Sequence, residues 1–298
     1  YANARASGEA SGALDVKAIM VEIRDSAARY REIDAPQGNT SLAKALQRLL
    51  RLDFVVFRPV LMSLIGRPEA DGDDVLFAIK ALESFLVRRM VCGMQTRGYS
   101  ALSLDLLKAI GTTAMDAPIA PVVCEVLNGK IGSPTEWPSD EAFCYKWRTR
   151  PFYGYLRRDR VMMILQTIEE YHQVGATKSE PILTFDFSKL TIEHIMPQSW
   201  QQHWPLPPGE DVALREAAIQ GIGNLTLVSG KLNPSLSNAP WHVDGAKFSK
   251  RSELAKHSNL QLNKRLLDAQ PTHWDERAIG LRADDLFGAA TAIWSAAP

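Results

Sequence analysis

The sequence predicts a mainly α-helical protein that carries one small β-hairpin in its last 40%. Two observations make that prediction. Apolar residues recur at three- and four-residue spacing through most of the first 175 residues. Around residues 180–200 and again at 224–229 they alternate with polar ones at period two, rich in β-branched and aromatic side chains, before helical spacing resumes.

The first helix is expected in "LDVKAIMVEIRDSAARYREI" (14–33) and the second in "SLAKALQRLLRLDFVVFRPVLMSLIG" (41–66). Between them "DAPQGNT" is turn chemistry, with Thr40 or Ser41 available as a helix cap. A third helix, "DDVLFAIKALESFLVRRMVCGM", opens at Asp73 or Asp74 and stops near Gly93. Shorter helices follow at about 100–110, 118–128, 139–149 and 158–174. After "YHQVGATKSEP" the texture changes. "PILTFDFSKLTIEHIMP" and "NLTLVS" read as strands, "GKLNPSLSNAPW" as turn, and "DGAKFSKRSELAKHS" and "HWDERAIGLRADDLFGAATAIW" as helices. The expected boundary lies near residue 178, giving a helical domain over 1–178 and a second domain over 179–298.

The 298 residues suffice for two domains at about 150 residues each, and 46% apolar content supports packed cores. With 34 basic and 34 acidic residues, whole-chain charge does not decide for or against a polyanionic partner, so local clusters matter. Cys92, Cys124 and Cys144 are odd in number and form no C-x-x-C pair, which argues against a disulfide framework and a zinc ribbon. A reducing cytoplasm is the simplest expected compartment. No apolar run approaches the roughly 20 residues that span a bilayer, and "YANARASGEASG" has no signal-peptide core. The chain opens without methionine and is expected to be a fragment of a longer protein.

"TIEHIMPQSW" sets an acid and an imidazole side by side in a strand that Pro197 should end. Phosphodiester hydrolysis needs a base for water, a cation for the phosphate, and a group that fixes the base. Imidazole suits the first role because it is largely neutral at physiological pH, and oxygen ligands suit a hard divalent ion. Glu193, His194, Asn224, Asn233 and Asn238 supply such groups within one stretch of chain. Plainer roles stand beside these: Asn224 as a turn residue, Asn233 as a helix cap and Asn238 as a helix end. "VSGKL" is not a phosphate loop, since Leu225 stands where glycine is needed and Leu232 where Ser or Thr is needed. His203, His242, His257 and His273 show no ligand spacing and read as structural.

"EHIMPQ" followed by "GNLTLVSGKLNPSLSN" resembles the strand-strand-helix finger of HNH nucleases. More specifically it is similar to the C-terminal nuclease domain of GmrSD-like restriction proteins, a group that includes the phosphorothioation-sensing SspE proteins. The likeness runs on through "FSKRSELAKHS", "LNKRLL" and a C-terminal pattern of Trp274, Ile279, Arg282, Leu286 and the final "IW", so it covers about residues 180–297. It implies a ββα-metal (HNH-type) nuclease domain in which His194 is the general base, Asn224 holds it, and Asn233 and Glu193 bind Mg²⁺ or Mn²⁺. Neighbouring strand residues point to opposite faces, so Glu193 and His194 share a site only if the strand bends.

The resemblance further implies DNA as substrate and restriction of foreign, phage DNA as the role. One metal ion makes one cut per binding event, so nicking is expected unless the protein forms a homo-oligomer. The chain departs from the pattern twice: it lacks the zinc-binding C-x-x-C pairs of many HNH domains, and it lacks the sensing and nucleotide-hydrolysing motif that the family usually carries upstream.

Two basic stretches suit a nucleic-acid backbone. "KWRTRPFYGYLRRDR" (146–160) sets six basic residues, including Arg148, Arg157 and Arg158, against one acid. Residues 247–265 set Lys247, Lys250, Arg251, Lys256, Lys264 and Arg265 against Glu253 alone. A solvated helix face is the plain reading, and beside a nuclease finger backbone neutralisation is the better one, with Lys231 as a further phosphate contact. The expectation is therefore a metal-dependent DNA endonuclease. Its rivals are a non-catalytic DNA-binding or protein-interaction module and an RNA-directed HNH nuclease.

Overall fold

The computed structural model describes residues 16–67, 72–176, 186–209, 211–243, 245, 248–270 and 272–296. By packing they form two units: one reaches Met90 and takes in Met94–Trp137, the other comprises Val91–Gly93 and Pro138–Ala296.

The first unit is helical: α1 (Val16–Asp34), α2 (Ser41–Leu49), a 3-10 turn at Val55–Phe57, α3 (Arg58–Ile65), α4 (Gly72–Cys92), α5 (Tyr99–Thr112) and α6 (Ala120–Asn128). Thr40, not Ser41, caps α2, accepting from the Ala43 amide at 3.1 Å. Asp74 sits in the first turn of α4, but its carboxylate serves α6, accepting from the Ile119 and Ala120 amides at 2.6 and 3.1 Å. The single helix expected over 41–66 is two helices with a turn between them. Leu52 and Phe54 stay buried through that turn, so the apolar period runs on where the helix does not. Pro59 in the first turn of α3 tolerates a helix start because it needs no backbone donor there.

The second unit holds α7 (Asp140–Thr149), α8 (Arg158–Ala176), a 3-10 turn at Phe187–Lys189, β1 (Leu190–His194), α9 (Val212–Ile219), a 3-10 turn at Ile222–Asn224 and β2 (Leu225–Ser229). The one-turn helix α10 (Asn233–Leu236) follows, then α11 (Lys250–His257), α12 (Gln261–Ala269) and α13 (Glu276–Ile293). Among the described residues the only sheet is the antiparallel β1–β2 pair, in the register Glu193↔Thr226 and His194↔Leu225. The strands are joined by residues 195–224, which include α9, and not by a tight hairpin turn. Residues 181–185 of the expected strand segment, and Lys247, lie outside the described residues.

This unit begins well before residue 178, where the sequence placed a boundary. The reason is burial: α7 and α8 spend their apolar faces on the elements that hold the sheet. Trp147, fully buried, donates from Nε1 to the Ala283 carbonyl of α13 at 2.9 Å, and Phe143 packs on Phe287 with ring centroids 5.4 Å apart. Glu169 of α8 caps α12, accepting from the Gln261 and Leu262 amides at 2.9 and 2.8 Å. α9 and α12 were not foreseen as helices; α9 is short and alanine-rich, and α12 is a nine-residue helix that buries Leu262, Leu266 and Leu267.

The sheet is gripped from both sides. From α12, Asn263 donates to the Leu227 carbonyl at 2.9 Å and accepts from the Thr226 hydroxyl at 2.5 Å. From α13, Arg282 donates through Nη1 to the Gly223 and Leu225 carbonyls at 2.8 and 2.7 Å. Burial lowers the Arg282 guanidinium to about 10, the cost of placing a cation here to tie down the head of β2.

Candidate active site

β1 ends at His194, ahead of Pro197, as the sequence suggests. Strand alternation then sends neighbours to different partners. Thr191 and Glu193, two residues apart and on one face, meet Asn233 and Lys250: Asn233 Nδ2 donates to Thr191 Oγ1 at 2.9 Å, and Lys250 Nζ donates to Glu193 Oε1 at 2.7 Å. The His194 side chain meets other elements. Its Nε2 lies 3.3 Å from Gln220 Oε1, and the Tyr153 ring stands edge-on to the imidazole at 4.5 Å between centroids.

Because an amide oxygen only accepts, the Gln220 contact puts the imidazole proton on Nε2 and leaves the lone pair on Nδ1. Gln198 donates to the same Gln220 oxygen at 3.3 Å, consistent with that assignment. Burial pushes the His194 pKa down to about 4, with the Lys250 charge adding to the shift and the Gln220 bond opposing it. The ring is therefore neutral at pH 7.

Asn224 does not touch the imidazole. Fully buried, it donates to the Met196 and Ile219 carbonyls at 2.8 and 3.0 Å and accepts from the Met196 amide at 2.8 Å and Trp274 Nε1 at 3.0 Å. Its own carbonyl accepts from Ile195 N at 2.9 Å. It reaches His194 through the backbone on the C-terminal side of that residue. Gly223 beside it is needed for close approach, since a Cβ there would lie 2.1 Å from the Ile279 carbonyl oxygen of α13.

The structure brings in residues that the sequence did not single out. Gln220, which caps the C-terminus of α9, also accepts from the Phe152 and Tyr153 amides at 2.8 and 3.1 Å, so it carries the aromatic end of the basic stretch to the imidazole. Tyr153 was visible only as one of several aromatics in that stretch. Gln220 had no sequence signal, because its role depends on where α9 delivers it, whereas Trp274 opens the C-terminal pattern that the family likeness includes.

Of the basic residues, Lys231, Arg157 and Arg158 are exposed. Arg157 pairs with Asp159 at 2.7 Å and Arg148 with Asp284 at 2.5 Å, both at the surface. Arg251 is half-buried, with its Nε out of solvent and without a hydrogen-bond partner. Lys250, expected to meet phosphate, is 1% exposed and turned inward. The amphipathic pattern could not show this, because its buried partner, Glu193, lies 57 positions away.

A divalent ion at this place needs Glu193 and Asn233 to face a common point. Glu193 is taken by the Lys250 ammonium, and Asn233 is turned onto Thr191. Among the described residues no group of three or more His, Cys, Asp or Glu converges. As folded, the donor set does not fit Mg²⁺ or Mn²⁺.

Among the described residues no helix is long and apolar enough to cross a membrane. No curated protein matches the chain. The family model for the GmrSD restriction endonucleases, C-terminal domain, matches residues 137–289, nearly the span of the second unit. With half its length in that match, the chain belongs to the GmrSD restriction endonucleases through their C-terminal domain.

Proposed function

We propose that this chain is a DNA endonuclease of the HNH type, that His194 is its general base, and that it acts in restriction of foreign DNA. The observation that carries the proposal is the held, neutral imidazole: Gln220 keeps the proton on Nε2, so Nδ1 is free to take one from water. In this reading Asn224 sets the backbone that presents His194, and Tyr153 limits how its ring turns. The exposed Arg157, Arg158 and Lys231 neutralise DNA phosphates, which positions the duplex without reading its sequence.

One imidazole activates water against one strand per binding event, so the expected product is a nick, and a homo-oligomer would be needed for paired cuts. A sensing, nucleotide-hydrolysing domain upstream would fit the same role. The test is conversion of supercoiled plasmid to open circle, with Mg²⁺, Mn²⁺ or chelator present, and with RNA as a parallel substrate. The parent should nick DNA and His194→Ala should not. Equal rates for the two would sink the assignment of the base, and an untouched plasmid under every condition would favour a binding module.

A further inference from the structure

Lys250 begins α11, and its backbone is fixed before its side chain is considered. Ser249 caps the helix in a reciprocal box with Ser252, the Lys250 amide donates to the Pro240 carbonyl at 2.9 Å, and the Arg251 amide donates to the Trp241 carbonyl at 3.0 Å. From that base the side chain runs inward. Its ammonium donates to Glu193 Oε1 and to the His194 carbonyl, each at 2.7 Å. The pair is nearly shut off from water, with side chains 1% and 12% exposed.

We infer that Glu193 is a positioning residue locked by Lys250, and that this ammonium is the resident cation at the end of β1, in the place that the sequence pattern assigns to a divalent ion. A buried carboxylate needs a compensating charge, and Lys250 supplies it. A metal ion binding the same oxygen, at roughly 2.0–2.1 Å for Mg²⁺, would lie against a fixed like charge with no solvent between them. Glu193 can hold Lys250 or a divalent ion, and the backbone of α11 is built for Lys250.

The consequence falls on His194. Lys250 holds its carbonyl, Asn224 holds the next amide, and Gln220 holds the ring, so the imidazole is fixed from three directions. The ammonium is too deep to touch a phosphate and acts through His194, by fixing its position and by adding its charge to what keeps the ring neutral.

The experiment uses the intact chain as parent, Glu193→Gln, Lys250→Met and the double variant, measured by calorimetric Mn²⁺ titration, thermal melting and plasmid nicking. Glu193→Gln keeps an oxygen for Lys250 and should leave Mn²⁺ affinity within about twofold of the parent, since a residue that is no ligand has no metal contact to lose. A parent that binds no Mn²⁺ gives the same answer. Lys250→Met leaves a buried carboxylate unpaired, so its midpoint should fall, and adding Glu193→Gln should recover part of that loss. In nicking, Lys250→Met should lower kcat by about tenfold or more with KM little changed, as expected when a reacting group is misplaced.

The inference is overturned if folded Glu193→Gln loses Mn²⁺ affinity by about tenfold or more, the range seen when groups of a metal site are removed, or if the two substitutions melt additively. It rests on the nuclease reading only for the kcat arm. Failure of that reading appears as an inactive parent, whereas the titration and the melting cycle report on Glu193 whether or not DNA is cut.

Discussion

Asn224 grips both backbone groups of Met196, accepting from its amide and donating to its carbonyl, each at 2.8 Å. The bond pair works as one rung of a sheet in which a side chain replaces a strand. It holds the chain where β1 has ended and His194 has just been presented. Asn224→Ala would strand the Met196 amide and Trp274 Nε1 in a buried place, so a loss of about 2–4 kcal/mol is expected. Urea unfolding followed by tryptophan fluorescence measures it. A variant of parental stability would show that Asn224 matters only to chemistry.

Gly223 should resist even the smallest substitution. The Cβ of Gly223→Ala would meet the backbone of α13, which cannot swing aside as a side chain can. Overpacking of this kind costs about 1–3 kcal/mol, and here it should also pull the Gly223 and Leu225 carbonyls off Arg282. Reduced hydrogen-exchange protection of the β2 amides, relative to the parent, is the expected signature. Gly280→Ala, on α13 in open space, is the control that should keep the β2 amides protected and raise stability slightly, by about 0.5–1 kcal/mol.

The lowered pKa of His194 has a stability consequence with a definite sign. The unfolded imidazole titrates near 6.5 and the folded one at about 4, so below 6.5 the unfolded chain binds the extra proton. Stability is fully present above pH 6.5 and is lost as pH falls toward 4. Between pH 6.5 and 5 the loss from this residue is about 2 kcal/mol, at 1.4 kcal/mol per unit. The difference between parent and His194→Ala isolates it from His172, whose pKa burial also lowers. Urea midpoints at the two pH values should converge for these two proteins as acid is added, and parallel curves would contradict the assignment.

The exposed basic residues should affect DNA binding through salt alone. Removing Arg157, Arg158 and Lys231 together should flatten the dependence of log affinity on log salt by about 2–3, near 0.9 per lost phosphate contact. Arg148→Ala should change little in stability, about 0.5 kcal/mol or less, because its pair with Asp284 is at the surface. Fluorescence anisotropy of a labelled duplex across a salt series measures the slope, and an unchanged slope would place the DNA elsewhere.

The local rules that make helices and strands were written in the sequence. Spacing alone located α1, α4 to α8, α13 and both strands, and Pro197 and Gly93 marked ends through their backbone restrictions. "EHIMPQ" and "GNLTL" were read as the two halves of a site, and the register sets Glu193 opposite Thr226 and His194 opposite Leu225. Partnership was not legible. Lys250 and Glu193 look like a surface cation and a metal ligand until tertiary packing buries them against each other, and Gln220 carries no motif at all. Asn224 was assigned to the imidazole and proved to hold the Met196 backbone, a bond that exists only once residues 195–224 have looped back. Periodicity reports which face of an element avoids water. Which charge meets which across that face is decided by the fold, since burial changes what each ionisable group needs beside it.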